Sequence, residues 1–358
     1  MLEHLIGGFG AALAPLNMLL TVAGTALGIL IGALPGLSSP MAIIVLLPVT
    51  YGMEPLPALL LMIGIYVGTK LGGSYSAILL RTPGTPAGAC TALDGYPMAQ
   101  KGMAGHALGY ATVGSAAGGI FGWLIAVSFV PLIATVALKA GPADIALIGV
   151  AGLVMVCAFV RGSLVKGFIG VLFGVLVGTV GVDPEEGVMR YTFGNLELSS
   201  GIPFAAALVG VFGIAVVLSD VILIGDRSHL VEKAVRLAMP TLRDIARRWQ
   251  AIFIGAGYGV GVGAVPGVGA DGSTWLSYAT VRNRSKNPEN FGKGEPDGIL
   301  APESSNNATT GGTMIPMLTL GIPGDGSTAV MLGALLLHGI TPGVTMMRDN
   351  GDVVWGIL

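Results

Sequence analysis

The sequence predicts an all-α fold, namely a polytopic membrane helix bundle with two repeats that contain broken or re-entrant helices. Only 11% of its residues are charged and 53% are hydrophobic, whereas a soluble domain usually carries about 25% charged residues. Long runs contain no Asp, Glu, Lys or Arg, and the longest is Leu5–Met53. About 20 apolar residues are enough to span a bilayer as a helix. Finally, the same glycine- and proline-rich motifs occur twice, which indicates structural repeats.

Three short motifs recur in the same order in both halves of the chain. GALPGLSS at Gly32–Ser39 resembles GAVPGVGA at Gly263–Ala270, at an offset of 231 residues. ILLRTPGTPA at Ile78–Ala87 resembles LTLGIPGDGS at Leu318–Ser327, at an offset of 240 residues. Between these motifs, KLGGS in the first half aligns with TTGGT in the second. Three pairs in one order indicate a repeat even in a chain with 58 glycines.

The first half alternates apolar helices with breaks. We expect a helix at Leu16–Leu34 that ends at Pro35, followed by a half-helix at Met41–Thr50 that is too short to span the bilayer alone. An apolar helix at Leu56–Leu71 then precedes an interruption at Gly72–Ala89, which is rich in Gly, Pro and Thr. Backbone outside a helix is tolerated at membrane depth only where protein buries it or where it lines a cavity. We therefore expect these breaks to face inward.

The middle of the chain supplies ordinary spans. Apolar runs at Gly109–Leu138, Ala143–Val160, Leu164–Val182 and Pro203–Leu223 are each long enough to cross the bilayer. The loop at Asp226–Arg248 carries an excess of Lys and Arg and should be cytoplasmic. If each span before this loop crosses the membrane once, counting back from the loop places the N-terminus outside. It also gives an odd number of crossings before the second half. The repeats are therefore predicted to be inverted.

The second half has the same breaks but is more polar. The apolar run Trp249–Ala270 is broken at Pro266, and the counterpart of Leu56–Leu71 reads DGILAPESSNNATTGG, which is too polar to face lipid. The long spans that follow the motifs in the first half have no counterpart, so the architecture is either asymmetric or C-terminally shortened. We divide the chain into a first repeat core at 1–105, connecting spans with a basic loop at 106–248, and a shortened second repeat core at 249–358.

The breaks form the predicted substrate site. Backbone N–H groups at the start of a half-helix carry about half a positive charge and attract carboxylates, and many transporters build their substrate site on such broken helices. The alternative is that Pro and Gly only kink the helices for packing. The residues predicted to bind substrate are Pro35, Gly36, Ser38, Ser39, Lys70, Ser74, Thr82, Pro83, Gly84, Thr85, Pro266, Gly267, Ser273, Thr274, Asn306, Asn307, Thr309, Thr310, Pro323, Gly324 and Ser327.

Four charged residues lie close to these breaks. Lys70 and Arg81 are the only charged residues in 55–93. A charge at the bilayer centre costs about 3 kcal/mol, which an anionic substrate would offset; alternatively, each side chain snorkels to the interface. Asp271 and Asp325 each follow a break of the second half and are candidates to bind a coupling proton or Na⁺. Their alternative role is to cap helices, for which Asp is a preferred residue.

The sequence has no pattern that indicates an enzyme or a nucleic-acid-binding protein. It contains no Gly-x-Ser-x-Gly elbow, no His-Glu-x-x-His and no P-loop. The formal net charge of −2 does not indicate nucleic-acid binding. We predict no catalytic residue, no metal site and no cofactor apart from a coupling ion, H⁺ or Na⁺. Transport would then be driven by an ion gradient or by a partner.

The chain resembles the large membrane subunit of the tripartite tricarboxylate transporters, the TctA family. The resemblance lies in GALPGLSSPMAIIVLLPVTYGM, GTKLGGSYSAILLRTPGTPAGACTALDGYPMAQKG, VPGVGADGSTWLSYA and APESSNNATTGGTMIPMLTLGIPGDGSTAVMLGALLLHGITPG. It implies a multi-pass secondary transporter of the bacterial inner membrane that works with a small membrane subunit and a periplasmic solute-binding protein. It also implies a di- or tricarboxylate substrate such as citrate. The alternative, from another class, is a non-transporting membrane scaffold or a truncated paralogue of such a transporter.

Overall fold

The computed structural model describes residues 2–139, 141–159, 163–183, 187–203, 206–207, 209–214 and 236–358. Up to residue 178, the helices are α1 (Leu2–Ala12), α2 (Pro15–Ala33), α3 (Ser39–Leu46), α4 (Pro55–Leu80), α5 (Gly88–Met98), α6 (Ala104–Ala137), α7 (Pro142–Phe159) and α8 (Leu164–Gly178). An antiparallel hairpin of β1 (Gly181–Val182) and β2 (Met189–Arg190) follows. The second half contains α9 (Leu242–Arg247), α10 (Trp249–Gly263), α11 (Gly269–Arg284), α12 (Asp297–Leu320), α13 (Gly326–Leu337), α14 (Met346–Asp349) and α15 (Gly351–Ile357).

These elements confirm the predicted all-α membrane helix bundle. Among the described residues, three segments are long and apolar enough to cross a membrane, namely Pro15–Ala33, Pro55–Leu80 and Gly88–Ala137. Most of the predicted span Pro203–Leu223 and about half of the predicted basic loop Asp226–Arg248 lie outside the described residues. The sidedness of the chain, the inverted orientation of the repeats and the division into three segments therefore stay predictions.

Corresponding helices in the two halves end in the same backbone conformation. Gly36 follows α2 with a φ of 86°, and Gly267 follows α10 with a φ of 82°. These two positions are 231 residues apart, and both lie in the left-handed region that glycine adopts without steric cost. The same holds after α4 and α12, where Arg81 and Gly321 have φ values of 56° and 70°. The motifs thus specify breaks of matching geometry.

The helix pairs α2–α4 and α10–α12 pack closely through matched glycines. On α2, added Cβ atoms at Gly24, Gly28 and Gly32 would lie 2.3, 2.4 and 2.5 Å from the carbonyl oxygens of Leu61, Ile65 and Thr69. On α10, added Cβ atoms at Gly255 and Gly259 would lie 2.2 and 2.3 Å from those of Ala301 and Ser305. The glycines are shifted by 231 residues and their partners by 240, which are the offsets of the motifs. This packing supports the repeat interpretation, which stays a prediction.

The break after α4 is shorter than predicted. We expected an interruption at Gly72–Ala89, but α4 continues to Leu80, and the break covers only 81–87. The glycines that looked like helix breakers serve helix packing instead, since a Cβ on Gly72 would lie 2.2 Å from the carbonyl oxygen of Ile29 on α2. The prediction was wrong here because composition does not distinguish a glycine that ends a helix from one that lets two helices approach.

Helix α12 is the buried centre of the second half. Every residue from Gly298 to Thr319 is buried, so the polar stretch does not face lipid, as expected. At its C-terminal end, Met314 and Met317 join a hydrophobic core with Tyr66 of α4 and Met331 of α13. The helix thereby connects elements of both halves around the breaks.

A matched pair of variants on α10 tests this close packing. Gly259→Ala should destabilise the protein by about 1–3 kcal/mol, the usual cost of overpacking, because its Cβ would lie 2.3 Å from the Ser305 carbonyl oxygen. Gly261→Ala is the control, since no described atom outside its own helix lies within 4 Å of the added Cβ, and Ala is the better helix former by about 1 kcal/mol. Thermal unfolding in one detergent compares them, and equal melting temperatures would contradict the packing.

Candidate functional site

One cavity collects residues from all four breaks. Its volume is about 240 Å³. The first half contributes Ser38–Pro40 and Thr85–Pro86, and the second half contributes Gly267–Asp271 and Asp325–Ser327. Lys70, from the middle of α4, completes the wall. Segments that lie far apart in the sequence therefore form a single site.

The cavity lies where short helices begin. Ser38, Val268 and Asp325 are the N-cap residues of α3, α11 and α13, and Thr85 precedes α5. The first backbone N–H groups of a helix have no partner within the helix, and each helix start carries about half a positive charge. The first N–H groups of α5 already bond to the carbonyls of residues 85–87. The starts of α3, α11 and α13 therefore provide the main preference for an anion, because carboxylates and phosphates bind at helix N-termini.

Lys70 supplies a full positive charge to this cavity. The side chain is buried, with its residue only 6% exposed, and its Nζ lies 3.8 Å from Asp325 Oδ2. Nζ also lies over the ring of Tyr66, 5.1 Å from the ring centroid. The Tyr66 hydroxyl donates a hydrogen bond to the same Asp325 oxygen at 2.5 Å. A direct N⁺–H···O⁻ bond is about 2.7–2.9 Å long, so the ammonium retains hydrogen-bonding capacity for another anion.

The two aspartates of the second half both line the cavity. Asp325 also caps α13, since its Oδ1 accepts from the backbone N–H of Thr328 at 2.9 Å, and its own N–H donates to the Thr328 hydroxyl at 2.9 Å. The capping alternative is therefore correct for Asp325, and it holds together with a place in the cavity wall. Asp271 lies in the first turn of α11. Two carboxylates and one ammonium thus share this space with the four helix starts.

Some of the sequence-predicted residues line the cavity, and others lie near it. Those that line it are Ser38, Ser39, Lys70, Thr85, Gly267, Ser327, Asp271 and Asp325. Residues that belong to the breaks without lining this cavity are Pro35, Gly36, Pro83, Gly84, Pro266, Pro323 and Gly324. The two breaks of the second half are tied together, because the Gly267 N–H donates to the Gly324 carbonyl at 2.9 Å.

The remaining predicted residues do not line this cavity; Thr82 lies in the break after α4, and the others lie in helices. Hydroxyls of Thr82, Thr274, Thr309 and Thr310 donate to the backbone carbonyls of Leu80, Asp271, Ser305 and Asn307. Ser273 Oγ lies 3.2 Å from Thr309 Oγ1, Ser74 donates to Glu303, and Asn306 donates to the Lys70 carbonyl at 3.5 Å. Ser and Thr inside helices commonly bond to nearby backbone in this way. The side-chain oxygens of Asn306 and Asn307 have no hydrogen-bond donor among the described residues.

Sequence reasoning missed several residues of this region. Tyr66 donates a hydrogen bond to Asp325. The sequence could have indicated Tyr66, because it places an aromatic hydroxyl one helical turn before Lys70. Pro40 and Pro86 also line the cavity, and the sequence indicated them by a second proline shortly after each Pro-Gly pair of the first half. Arg81, by contrast, does not line this cavity, and its guanidinium lies over the ring of Tyr96, 5.6 Å from the centroid.

A helix bundle whose broken helices meet at one cavity with charged and hydroxyl groups in its wall is typical of a membrane transporter. The chain belongs to the tripartite tricarboxylate transporter TctA family, whose model matches residues 18–358. Family membership supports a role as the large subunit of such a transporter, and the chain is a multi-pass membrane protein. This membership points to a transporter and not to an enzyme.

Two curated relatives come from Agrobacterium vitis. The chain is 38% identical over 358 residues to an "uncharacterized 52.8 kDa protein in TAR-I ttuC' 3'region", and the match covers 100% of this chain and 71% of that one. It is 42% identical over 97 residues to an "uncharacterized protein in TAR-II ttuC' 3'region", covering 27% of this chain and 40% of that one. No solved structure matches the chain.

Proposed function

We propose that the chain is the transmembrane subunit of a binding-protein-dependent secondary transporter that takes up a small di- or tricarboxylate, such as citrate, across the bacterial inner membrane. A periplasmic solute-binding protein delivers the substrate, a small membrane subunit completes the complex, and an ion gradient drives uptake. The observation that carries this proposal is the meeting of four helix starts and the Lys70 ammonium at one cavity.

The cavity suits a small polyanion. Its volume of about 240 Å³ is below the roughly 300–1,000 Å³ of sites for drug-sized ligands, which favours a compact metabolite. One substrate carboxylate takes the place of Asp325 as the partner of Lys70. The other carboxylates accept hydrogen bonds from the N–H groups that start α3, α11 and α13 and from the hydroxyls of Ser38 and Ser327. A monoanion would use only part of these donors, so several carboxylates are favoured over one.

Asp271 and Asp325 are the candidates at this cavity for the coupling ion, H⁺ or Na⁺. Both carboxylates repel an anionic substrate unless a cation neutralises them. Binding of a proton or Na⁺ therefore favours binding of the substrate, and the substrate favours the cation by the same factor. Such reciprocal coupling is what an ion-driven symporter needs, and no other cofactor is required.

Vesicle uptake tests the proposed function. Membrane vesicles that contain the chain with its partner subunits are loaded with buffer, and uptake of radiolabelled citrate and succinate is followed with a proton gradient, with a Na⁺ gradient and with neither. We expect accumulation of at least one of these carboxylates under one gradient. If neither gradient increased the uptake of any carboxylate, the result would contradict the proposal.

Tyr66→Phe tests how Asp325 is held at the cavity. Without the Tyr66 hydroxyl, Asp325 Oδ2 loses the donor at 2.5 Å and is free to move closer to Lys70. We expect citrate to bind about threefold more weakly, a change of about 0.6–0.7 kcal/mol, because the substrate competes with a tighter internal ion pair. Equilibrium binding of radiolabelled citrate to the purified variant measures the change. Tighter binding than in the wild type would argue against this competition.

A further inference from the structure

Glu303 is a fully buried carboxyl group that lies outside the cavity. It is on α12 and has no exposed surface. Three hydroxyls from three other helices bond to it: Ser74 of α4 donates to Oε1 at 2.5 Å, Thr91 of α5 donates to the same oxygen, and Ser115 of α6 donates to Oε2 at 2.8 Å. One carboxyl group thus joins four helices at a single point.

No described positive charge neutralises Glu303. Ion pairs of the described Lys, Arg and His side chains go elsewhere, and Lys70, one turn before Ser74 on α4, pairs with Asp325. Tyr75 of α4 and Cys90 of α5 are titratable groups close enough to interact electrostatically with Glu303, and neither becomes positive. A fully buried carboxylate without a cation is costly, and in a membrane helix bundle such a residue is a candidate functional site.

The other faces around Glu303 add no cation either. On α6, Gly114 packs against the Cβ of Glu303 beside Ser115. Helix α5 contributes Asp94, an acid whose Oδ1 accepts hydrogen bonds from the backbone N–H groups of Gly292, Gly294 and Glu295. Helices α10 and α11 pack on α12 through Ser304 and Thr309. Hydroxyls and small residues therefore surround the carboxyl group.

The same hydroxyls connect Glu303 to the cavity. Ser74 Oγ lies 3.2 Å from the Lys70 carbonyl oxygen as well as 2.5 Å from Glu303. Asn306, one turn after Glu303 on α12, reaches the same Lys70 carbonyl at 3.5 Å. The buried side-chain oxygens of Asn306 and Asn307 have no donor among the described residues, so they are ready to accept from water or hydronium along this face of α12. A change in the protonation of Glu303 would therefore alter hydrogen bonds to the segment of α4 that carries Lys70.

We propose that Glu303 is a proton-binding site of the transport cycle, additional to the two carboxylates at the cavity, and this rests on the proposed function. The proton comes from hydronium, forms an O–H bond at one carboxylate oxygen and leaves water behind; on release it returns to water on the other side. As an anion, Glu303 accepts from all three hydroxyls. When protonated, Glu303 donates to one of the hydroxyls, and that hydroxyl must rotate so that its oxygen accepts. Protonation therefore weakens the contacts that join α4, α5, α6 and α12 at this point.

A proton fits this site better than Na⁺. The hydroxyl oxygens bond directly to the carboxylate, with Ser115 at 2.8 Å, so they do not surround a space for an ion. Hard metal cations need several oxygen ligands spaced around them at bonding distance. Glu303 also does not line the substrate cavity. Dependence on Na⁺ at this residue is therefore an outcome that would overturn the proposal.

Glu303→Gln provides the first test, because Gln keeps the size of the side chain and removes the titrating group. In vesicles that contain the chain and its partner subunits, we expect uptake of radiolabelled citrate driven by a pH gradient to fall at least tenfold. Exchange of internal for external citrate without a gradient should stay within about twofold of the wild type. Unchanged pH-driven uptake in Glu303→Gln, or Na⁺-driven uptake that this variant abolishes, would overturn the proposal.

Infrared difference spectroscopy gives a readout that does not depend on transport. The purified wild type, taken from high to low pH, should gain the C=O stretch of a buried protonated carboxyl, and Glu303→Gln should lack that band. If Glu303→Gln does not fold, Ser115→Ala replaces it, and the midpoint of the band should move to higher pH because the anion loses a donor. Absence of a titrating band, or a band that neither variant alters, refutes the proton site. Failure of the wild type to bind or take up any of the carboxylates tested would instead refute the proposed function and leave the infrared result standing.

Discussion

The Lys70→Met variant should bind citrate about 100-fold more weakly than the wild type, which corresponds to about 2.7 kcal/mol. Lys70 is the only Lys or Arg that lines the described cavity, and it is 6% exposed. An ion pair at about 4 Å is worth up to about 4 kcal/mol at an effective dielectric of 20, and part of this is used to displace Asp325. Met approximates the apolar stem of the lysine side chain and removes the ammonium group. Equilibrium binding of radiolabelled citrate to the purified protein measures the loss.

The control for this variant is Arg81→Gln. Arg81 does not line the cavity and lies over the ring of Tyr96, so its removal should leave the affinity for citrate within about twofold of the wild type. If Arg81→Gln reduced binding as much as Lys70→Met, the cavity would not be the citrate site. Unchanged binding in Lys70→Met would lead to the same conclusion.

The Asp325→Asn variant should bind citrate about tenfold more tightly than the wild type, whereas Lys70→Met should bind it more weakly. Asp325 Oδ2 lies 3.8 Å from Lys70 Nζ and competes with the substrate for it. Asn caps helices about as well as Asp, so the start of α13 should be preserved. Removal of the competing charge leaves the ammonium free, and a gain of about 1.4 kcal/mol is tenfold in affinity. The same citrate-binding measurement applies.

The double variant Lys70→Met with Asp325→Asn tests whether Asp325 weakens citrate binding by competing for Lys70 or by repelling the substrate itself. If Asp325 acts through Lys70, its replacement should have little effect on binding once Lys70 is gone, and the two changes should be non-additive. A tenfold gain that persists in the Lys70→Met background would show that direct repulsion by Asp325, and not its competition for Lys70, dominates the effect on affinity. Weaker binding in Asp325→Asn alone would contradict the competition altogether.

Much of the fold was predictable because its signals are local. Proline and glycine determine backbone conformation within a few residues, so Pro35 and Pro266 marked breaks that the structure contains. Burial of the polar helix α12 followed from the cost of exposing Asn306 and its neighbours to lipid. Lys70 was predictable because a lone charge in an apolar helix needs a partner. Family membership confirmed the resemblance carried by these motifs.

The rest of the site depends on contacts that the sequence does not record. Glu303 bonds to Ser74 across 229 residues, and Tyr66 bonds to Asp325 across 259. Many serines and threonines stood near the breaks, and composition could not say which of them would line the cavity and which would bond within helices. Ser74 and Thr309 were therefore predicted as substrate ligands although they lie in helix contacts. Packing between the two halves decides these roles.

A cryo-electron microscopy structure of the transporter with citrate bound tests the central claim most directly. We expect density for citrate in the cavity, with one carboxylate against Lys70 Nζ and the others at the helix starts that follow Pro35, Pro266 and Pro323. Citrate bound elsewhere, or a complex in which these breaks lie apart around lipid-facing side chains, would contradict the account.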